Sequence, residues 1–427
     1  NERNAQMKEE ILHLVWDSGL FSPKELQTVD GHPMSILDRG ELNRGSGPDF
    51  SAARIELDSI EWAGAVEIHH RSSDWNRHNH SKDSLYNSVI LHVVYEHDVD
   101  IRNGNGEFIP TFELKGRIPK EVFQRYEQLS IQRATIPCSS FQSAIESKLW
   151  SLTMDEMIIQ RLERKGSEIS LLHKVNAGDW SQTYYALTLG FLGQNMNKLP
   201  MLELARKIPA KIVLKHLDEQ RSLEALLLGV AGYLDDTNDE YALELRSTYL
   251  HFKNLYDLDE VVQKWKTGRV RPENTPLRRI IQFSTILPKL NEAWDALILG
   301  EPLNWASFVP SASSYWQSHY AFSVPSKRKL ELKLSKELDT LLQINVHVPL
   351  LYYYGSSVGS GDLLRRSIAL LRDLKPESNR YSRMWVKQGR KASTAADSQA
   401  MLELYTQLCS SKKCLNCSIG KSILTRT

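Results

Sequence analysis

Asp49 closes the string Gly47-Pro48-Asp49, and after seventeen intervening residues comes Glu67-Ile68-His69. Two carboxylates plus a backbone carbonyl suit an oxygen-preferring divalent cation such as Mg2+ or Mn2+. Such an ion activates water and neutralises phosphate charge. Six of the 13 histidines fall between positions 69 and 97: His69, His70, His78, His80, His92 and His97, with Asp74 and Asp83 among them. His78-x-His80-x-x-Asp83 has the makings of a ligand set, or of a general base near the carboxylates. The plainer alternative makes His92 a hydrogen-bonded core residue, and Asp49 and Glu67 capping or ion-paired groups. Glu9 and Glu10, in the first turn of an N-terminal helix, are further candidates.

The four cysteines are Cys138, Cys409, Cys414 and Cys417, the last three spaced Cys-x4-Cys-x2-Cys. In a reducing compartment that spacing favours metal over disulfide. A zinc ion or a [4Fe–4S] cluster needs a fourth ligand, which Cys138 would supply; a reduced, metal-free cluster is the alternative. The net charge of +1 does not announce a nucleic-acid partner. Charge is uneven, however: residues 361–427 carry 13 Lys/Arg against 5 Asp/Glu. Lys264, Lys266, Arg269, Arg271, Arg278 and Arg279 form a second basic stretch opposed by Glu273 alone. Lys266, Arg269, Arg271 and Arg279 are the candidate phosphate contacts, with a solvated surface as the alternative.

These groups need elements to hold them. Periodic Ile11, Leu12, Leu14 and Val15 predict a helix over 8–17. Strands are expected around 35–37, over 50–57 and over 60–69, the last two as a hairpin. Glu67 and His69, two apart, then share one face. A short helix is expected at 81–87. The near-continuous apolar run at 88–96 predicts a buried central strand, and 108–114 a further one. Helical periodicity dominates from 145 to about 374, with Pro200, Pro209, Pro272, Pro276, Pro310 and Pro325 expected to separate the helices.

The order helix, three strands, helix, strand, with Pro48-Asp49 and Glu67-Ile68-His69 on the hairpin, resembles the PD-(D/E)xK nuclease superfamily. The resemblance implies a restriction-endonuclease-like core and metal-dependent phosphodiester hydrolysis. It departs at His69, where the superfamily has lysine; histidine is only partly charged at pH 7 and is the better metal ligand. Some relatives carry an iron–sulfur staple of one distant and three clustered cysteines, which matches the count here. Over nearly its whole length the chain also resembles an uncharacterised bacterial domain-of-unknown-function family. That likeness rests on 47–50, Val66-Glu67-Ile68-His69, Ser72-Ser73-Asp74-Trp75, His78-Asn79-His80 and Cys414-Leu415-Asn416-Cys417.

The expected class is therefore α+β: a restriction-endonuclease-like mixed sheet with flanking helices at 7–135, followed by an all-α domain at 140–427 ending in the cysteine cluster. A length of 427 residues fits two or three cores. No run of 18 apolar residues and no leader pattern is seen, so a cytoplasmic protein without a membrane partner is expected. The functional expectation is a metal-dependent nuclease acting on nucleic acid. The alternatives are a non-catalytic nucleic-acid- or protein-binding module on a degenerate nuclease core, and a structural protein with a packed histidine network.

Overall fold

The structure, a computed structural model, describes residues 9–43, 45–131, 134–268, 270–301, 303, 305 and 313–426. The chain divides into two compact units, one formed by 1–153 with 404–427 and the other by 154–403.

The first unit is built on a mixed sheet. Its elements are α1 (Glu9–Ser18), β1 (Met34–Asp38), β2 (Glu41–Leu42), β3 (Phe50–Leu57), β4 (Ile60–Arg71), α2 (Asp74–Arg77), β5 (Val89–Glu96), β6 (Thr111–Glu113) and α3 (Lys120–Ile131). Strand order is β1-β3-β4-β5-β6, with β2 paired to β3. The β1-β3-β4 part is antiparallel and β4-β5-β6 is parallel. A parallel step needs a crossover. Here it is made by α2 and two short 3-10 turns at His80–Lys82 and Ser84–Ser88.

Period-2 alternation gives the sheet two different faces. Val66 and Ile68 of β4 and Leu91 and Val93 of β5, all fully buried, pack on Ile11, Leu12, Val15 and Trp16 of α1. Their neighbours Glu67, His69 and His92 point the opposite way, under the crossover, where Trp75 is buried against Ala65, Val89, Ile101 and Ile109. The central strand runs as expected, β5 lying between β4 and β6.

The second unit is mainly helical, around a core including Tyr184, Tyr185, Leu226, Phe283, Trp316 and Leu350. Three departures from the sequence reading occur. A small hairpin, His319–Ala321 with Val324–Pro325, interrupts the expected all-α pattern. Pro200 lies inside the helix Gln194–Lys207 rather than between helices, the backbone absorbing it as a kink at Asn197. Pro276, by contrast, begins a helix at its first turn, where its missing N–H is not needed. Pro310 lies outside the described residues. The final helix, Ser418–Thr425, belongs to the first unit although the sequence reading runs the helical domain to the end of the chain.

Candidate functional site

A register shift between Phe50 and Ala53, with Ala52 at φ 56°, ends the regular β3–β4 ladder. Phe50 still pairs with Val66, so Asp49 falls beside Glu67 and Ile68. Beyond the ladder, side chains take over its hydrogen bonds. The Asp49 N–H donates to Glu67 Oε2 at 3.0 Å, and the Ile68 N–H donates to Asp49 Oδ2 at 2.9 Å. Each carboxylate thus holds backbone at the other's position, and both stand at one corner of the sheet.

The other Glu67 oxygen, Oε1, lies 3.3 Å from His80 Nε2 and 3.6 Å from His69 Nε2. His69, His78 and His80 bring one candidate ligand atom each within 4.8 Å of one another. His69 is further linked through Nδ1 to His92 Nε2 at 2.8 Å and through Nε2 to His78 Nδ1 at 3.1 Å. His80 stacks on Tyr86 with centroids 3.8 Å apart, and Trp75 packs edge-on against both rings. His80 Nε2 is buried yet makes no hydrogen bond. His78 is exposed at the rim.

The electrostatics follow from this crowding. Burial, then the charge of Asp49, pushes Glu67 up to about 9, the Asp49 N–H pulling the other way. Burial and Asp49 likewise hold Glu9 at about 7. Burial, then the neighbouring imidazoles of His92, His80 and His78, drive His69 down to about 2, and burial and His80 take His92 to about 3. His69 is therefore neutral at physiological pH and does not supply the positive charge of a lysine at its position. Burial would lower His13 on α1, but the hydrogen bond and charge of Asp49 outweigh it and raise the group. The two meet at 3.3 Å, His13 Nε2 to Asp49 Oδ2.

Of the residues singled out in the sequence, Asp49, Glu67, His69, His80 and Glu9 come together at this corner. Glu10 is exposed; its charge reaches Tyr126, which also feels Cys414, and as a lesser influence the site's His13. Asp83 is exposed and caps the second 3-10 turn by accepting the Leu85 N–H at 3.0 Å, reaching His80 only as a neighbouring charge. His78 joins the site as its spacing from His80 and Asp83 suggested, and His13 joins it without having been marked. His13 is four residues after Glu9, one helical turn along α1, so the two share a face of the helix.

The basic stretch fares differently. Arg279, expected to contact phosphate, is 8% exposed, and its guanidinium is taken up by Gln282 Oε1 at 2.7 Å and Asn274 Oδ1 at 2.8 Å. It sits on the helix Pro276–Ile286, which is buried throughout, so its charge faces inward. Lys266 and Arg271 are exposed. Arg269 lies outside the described residues. Cys138, Cys409, Cys414 and Cys417 all fall in the first unit.

Fold and site together define an α+β protein with a sheet-corner site of carboxylates and imidazoles, containing groups suited to a divalent ion. The chain belongs to the family described as "Protein of unknown function (DUF2851)", whose model matches residues 9–380. No curated protein and no solved structure matches it. Among the described residues no helix is long and apolar enough to cross a membrane.

Proposed function

We propose that the first unit is a metal-dependent phosphodiesterase acting on nucleic acid, built on a PD-(D/E)xK-type core whose lysine position has become an imidazole ligand position. The observation that carries this reading is the Glu67 carboxylate, whose Oε1 faces the buried His80 Nε2 at 3.3 Å while that nitrogen has no hydrogen-bond partner. A buried, neutral imidazole nitrogen beside a carboxylate oxygen and two more imidazoles is a donor set rather than a finished ion pair. A divalent ion held there by Glu67, His80, His69 and His78 would supply activation of water and neutralisation of phosphate charge. Mixed nitrogen and oxygen donors suit Mn2+ or Zn2+ better than Mg2+.

The chain's own groups divide the remaining work. Asp49 orients His13 and raises it above the ordinary imidazole range, so His13 is placed to give a proton to a leaving alkoxide. Arg77, 70% exposed and paired with Asp74 Oδ1 at 3.0 Å, has its outer side open to a phosphate oxygen, as the buried His69 does not.

The test uses the full chain, stripped with chelator and assayed on single- and double-stranded DNA and RNA in Mg2+, Mn2+ and Zn2+. Hydrolysis should return with Mn2+ or Zn2+ in preference to Mg2+. It should fall at least ~100-fold in both Glu67→Gln and His80→Ala, the scale of losing a key electrostatic group. Tight ion binding without hydrolysis would leave a non-catalytic binding module. No ion binding would favour the packed histidine network that the His92–His69–His78 hydrogen bonds support.

A further inference from the structure

The C-terminal segment is held against the first unit by two lysine and arginine contacts that bracket Cys138. Lys412 Nζ donates to the Ser130 carbonyl at 2.7 Å, and Arg426 Nη2 donates to the Ala144 carbonyl at 2.6 Å. Between those carbonyls lies Cys138, buried at the start of the Ser139–Ala144 turn, its Sγ accepting from Gln142 Nε2 at 3.4 Å. On the other side Cys409 ends one helix, Cys414 opens a 3-10 turn, and Cys417 is the residue before the helix Ser418–Thr425. The turn is tight: the Cys417 N–H donates to the Cys414 carbonyl at 3.2 Å. Gly420 presses so closely on it that a Cβ there would lie 2.1 Å from the Cys414 carbonyl oxygen.

The four sulfurs share one neighbourhood. Cys138 lies within electrostatic reach of Cys414 and Cys417, and Cys409 within reach of Cys138, Cys417 and Cys414. A chance pocket of small apolar side chains has no reason to gather every cysteine of the chain, least of all one separated from the rest by some 270 residues.

We infer that Cys138, Cys409, Cys414 and Cys417 are the four ligands of a single thiolate-bound metal centre that pins the returning C-terminal segment to the first unit. The centre is separate in composition from the Glu67–histidine site: all sulfur, against nitrogen and oxygen. Four thiolates fit zinc or an iron–sulfur cluster, and each thiol gives up its proton on binding. Sulfurs around one zinc at about 2.3 Å stand under about 4 Å apart. Among the described residues, the trio found within 4.8 Å of one another is the histidine one. The wider gathering of the sulfurs therefore favours the larger, polynuclear centre.

The test counts metal in full-length protein purified without oxygen, in a His78→Ala/His80→Ala background so that imidazoles do not hold the ion. Iron, acid-labile sulfide and zinc are measured together with the visible absorption of thiolate-to-iron charge transfer. Stoichiometric iron and sulfide identify the cluster, stoichiometric zinc the single ion, and either supports the centre. Cys138→Ser and Cys414→Ser should each lower the bound metal at least tenfold. Because such variants can fail to fold, the unsubstituted cysteines are also titrated with a thiol reagent. They should be protected in the loaded protein and should react after the metal is released by acid or chelator. Metal below stoichiometry after anaerobic purification and reconstitution with iron and sulfide or zinc, or thiols equally reactive before and after chelation, would overturn the proposal. Neither result bears on hydrolysis at Glu67.

Discussion

Replacing Glu67 by glutamine separates what this residue does for the fold from what it does for chemistry. Glu67 is 5% exposed, and burial followed by the charge of Asp49 raises it from 4.5 to about 9. An acid raised in the folded chain contributes stability that is intact below its unfolded pKa and is lost as pH climbs through the interval, here from 4.5 to about 9. At pH 7 the loss has reached about 3 kcal/mol, at roughly 1.4 kcal/mol per unit. Glutamine keeps the shape and an oxygen for the Asp49 N–H but does not ionise. In protein stripped of metal, Glu67→Gln should therefore be more stable than the native chain by about 2–3 kcal/mol at pH 7. The gap should close toward pH 4 and widen toward pH 9. Urea unfolding in chelator, followed by circular dichroism across that range, measures it. With Mn2+ at a hundred times its dissociation constant the native chain should gain about 2.7 kcal/mol and the variant far less, offsetting the difference. A variant less stable than native at pH 7 without metal, or a difference that does not move with pH, would refute the reasoning.

Three further outcomes are expected. Glu403, 1% exposed, accepts from Arg164 at 2.7 and 2.8 Å and from the buried Arg161 at 3.3 Å. Glu403→Gln should destabilise by about 3–5 kcal/mol by leaving Arg161 uncompensated, and changing Arg161 to leucine as well should restore part of that in a double-mutant cycle of melting temperatures. Burial pushes His347 down to about 4 from 6.5, so its contribution is intact above pH 6.5 and falls by about 3 kcal/mol as pH drops to 4; His347→Gln should flatten that part of the urea-midpoint profile. A Cβ at Gly64 would meet the Ser88 carbonyl oxygen and Ile90 Cγ2, both at 2.5 Å. Gly64→Ala should cost about 1–3 kcal/mol in thermal melts by forcing β4 from β5, and unchanged melting would show that the strands have room.

The sheet was legible because its signals are local. Alternation at 50–57 and the apolar run at 89–94 each specify a strand, and period 2 alone puts Glu67 and His69 on the face opposite Val66 and Ile68. What escaped was set by tertiary placement. His13 reaches Asp49 because α1 packs against β4, a fact no window of α1 contains. His78 was marked by its spacing from His80, but its place beside His69 depends on the crossover's turn geometry, with Asn79 at φ 60°, which pattern reading does not assign in advance. Arg279 misled for the opposite reason. A run of basic residues reads as solvated, but Leu277, Ile280, Ile281 and Phe283 draw the whole helix into the core, and Asn274 and Gln282 satisfy the guanidinium there.

The first unit is assembled from both ends of the described chain, with 154–403 intervening. During synthesis at roughly 5–20 residues per second, its sheet emerges some 10–50 s before the segment that carries Cys409, Cys414 and Cys417. For that interval the Cys138 region waits on the ribosome with its packing partner unmade. Completion of the unit therefore waits for residues 404–427, and the helical unit has time to fold first. A nascent chain arrested before residue 404 would lack the segment that neighbours Cys138, so docking of that segment is also the step that surrounds this thiol.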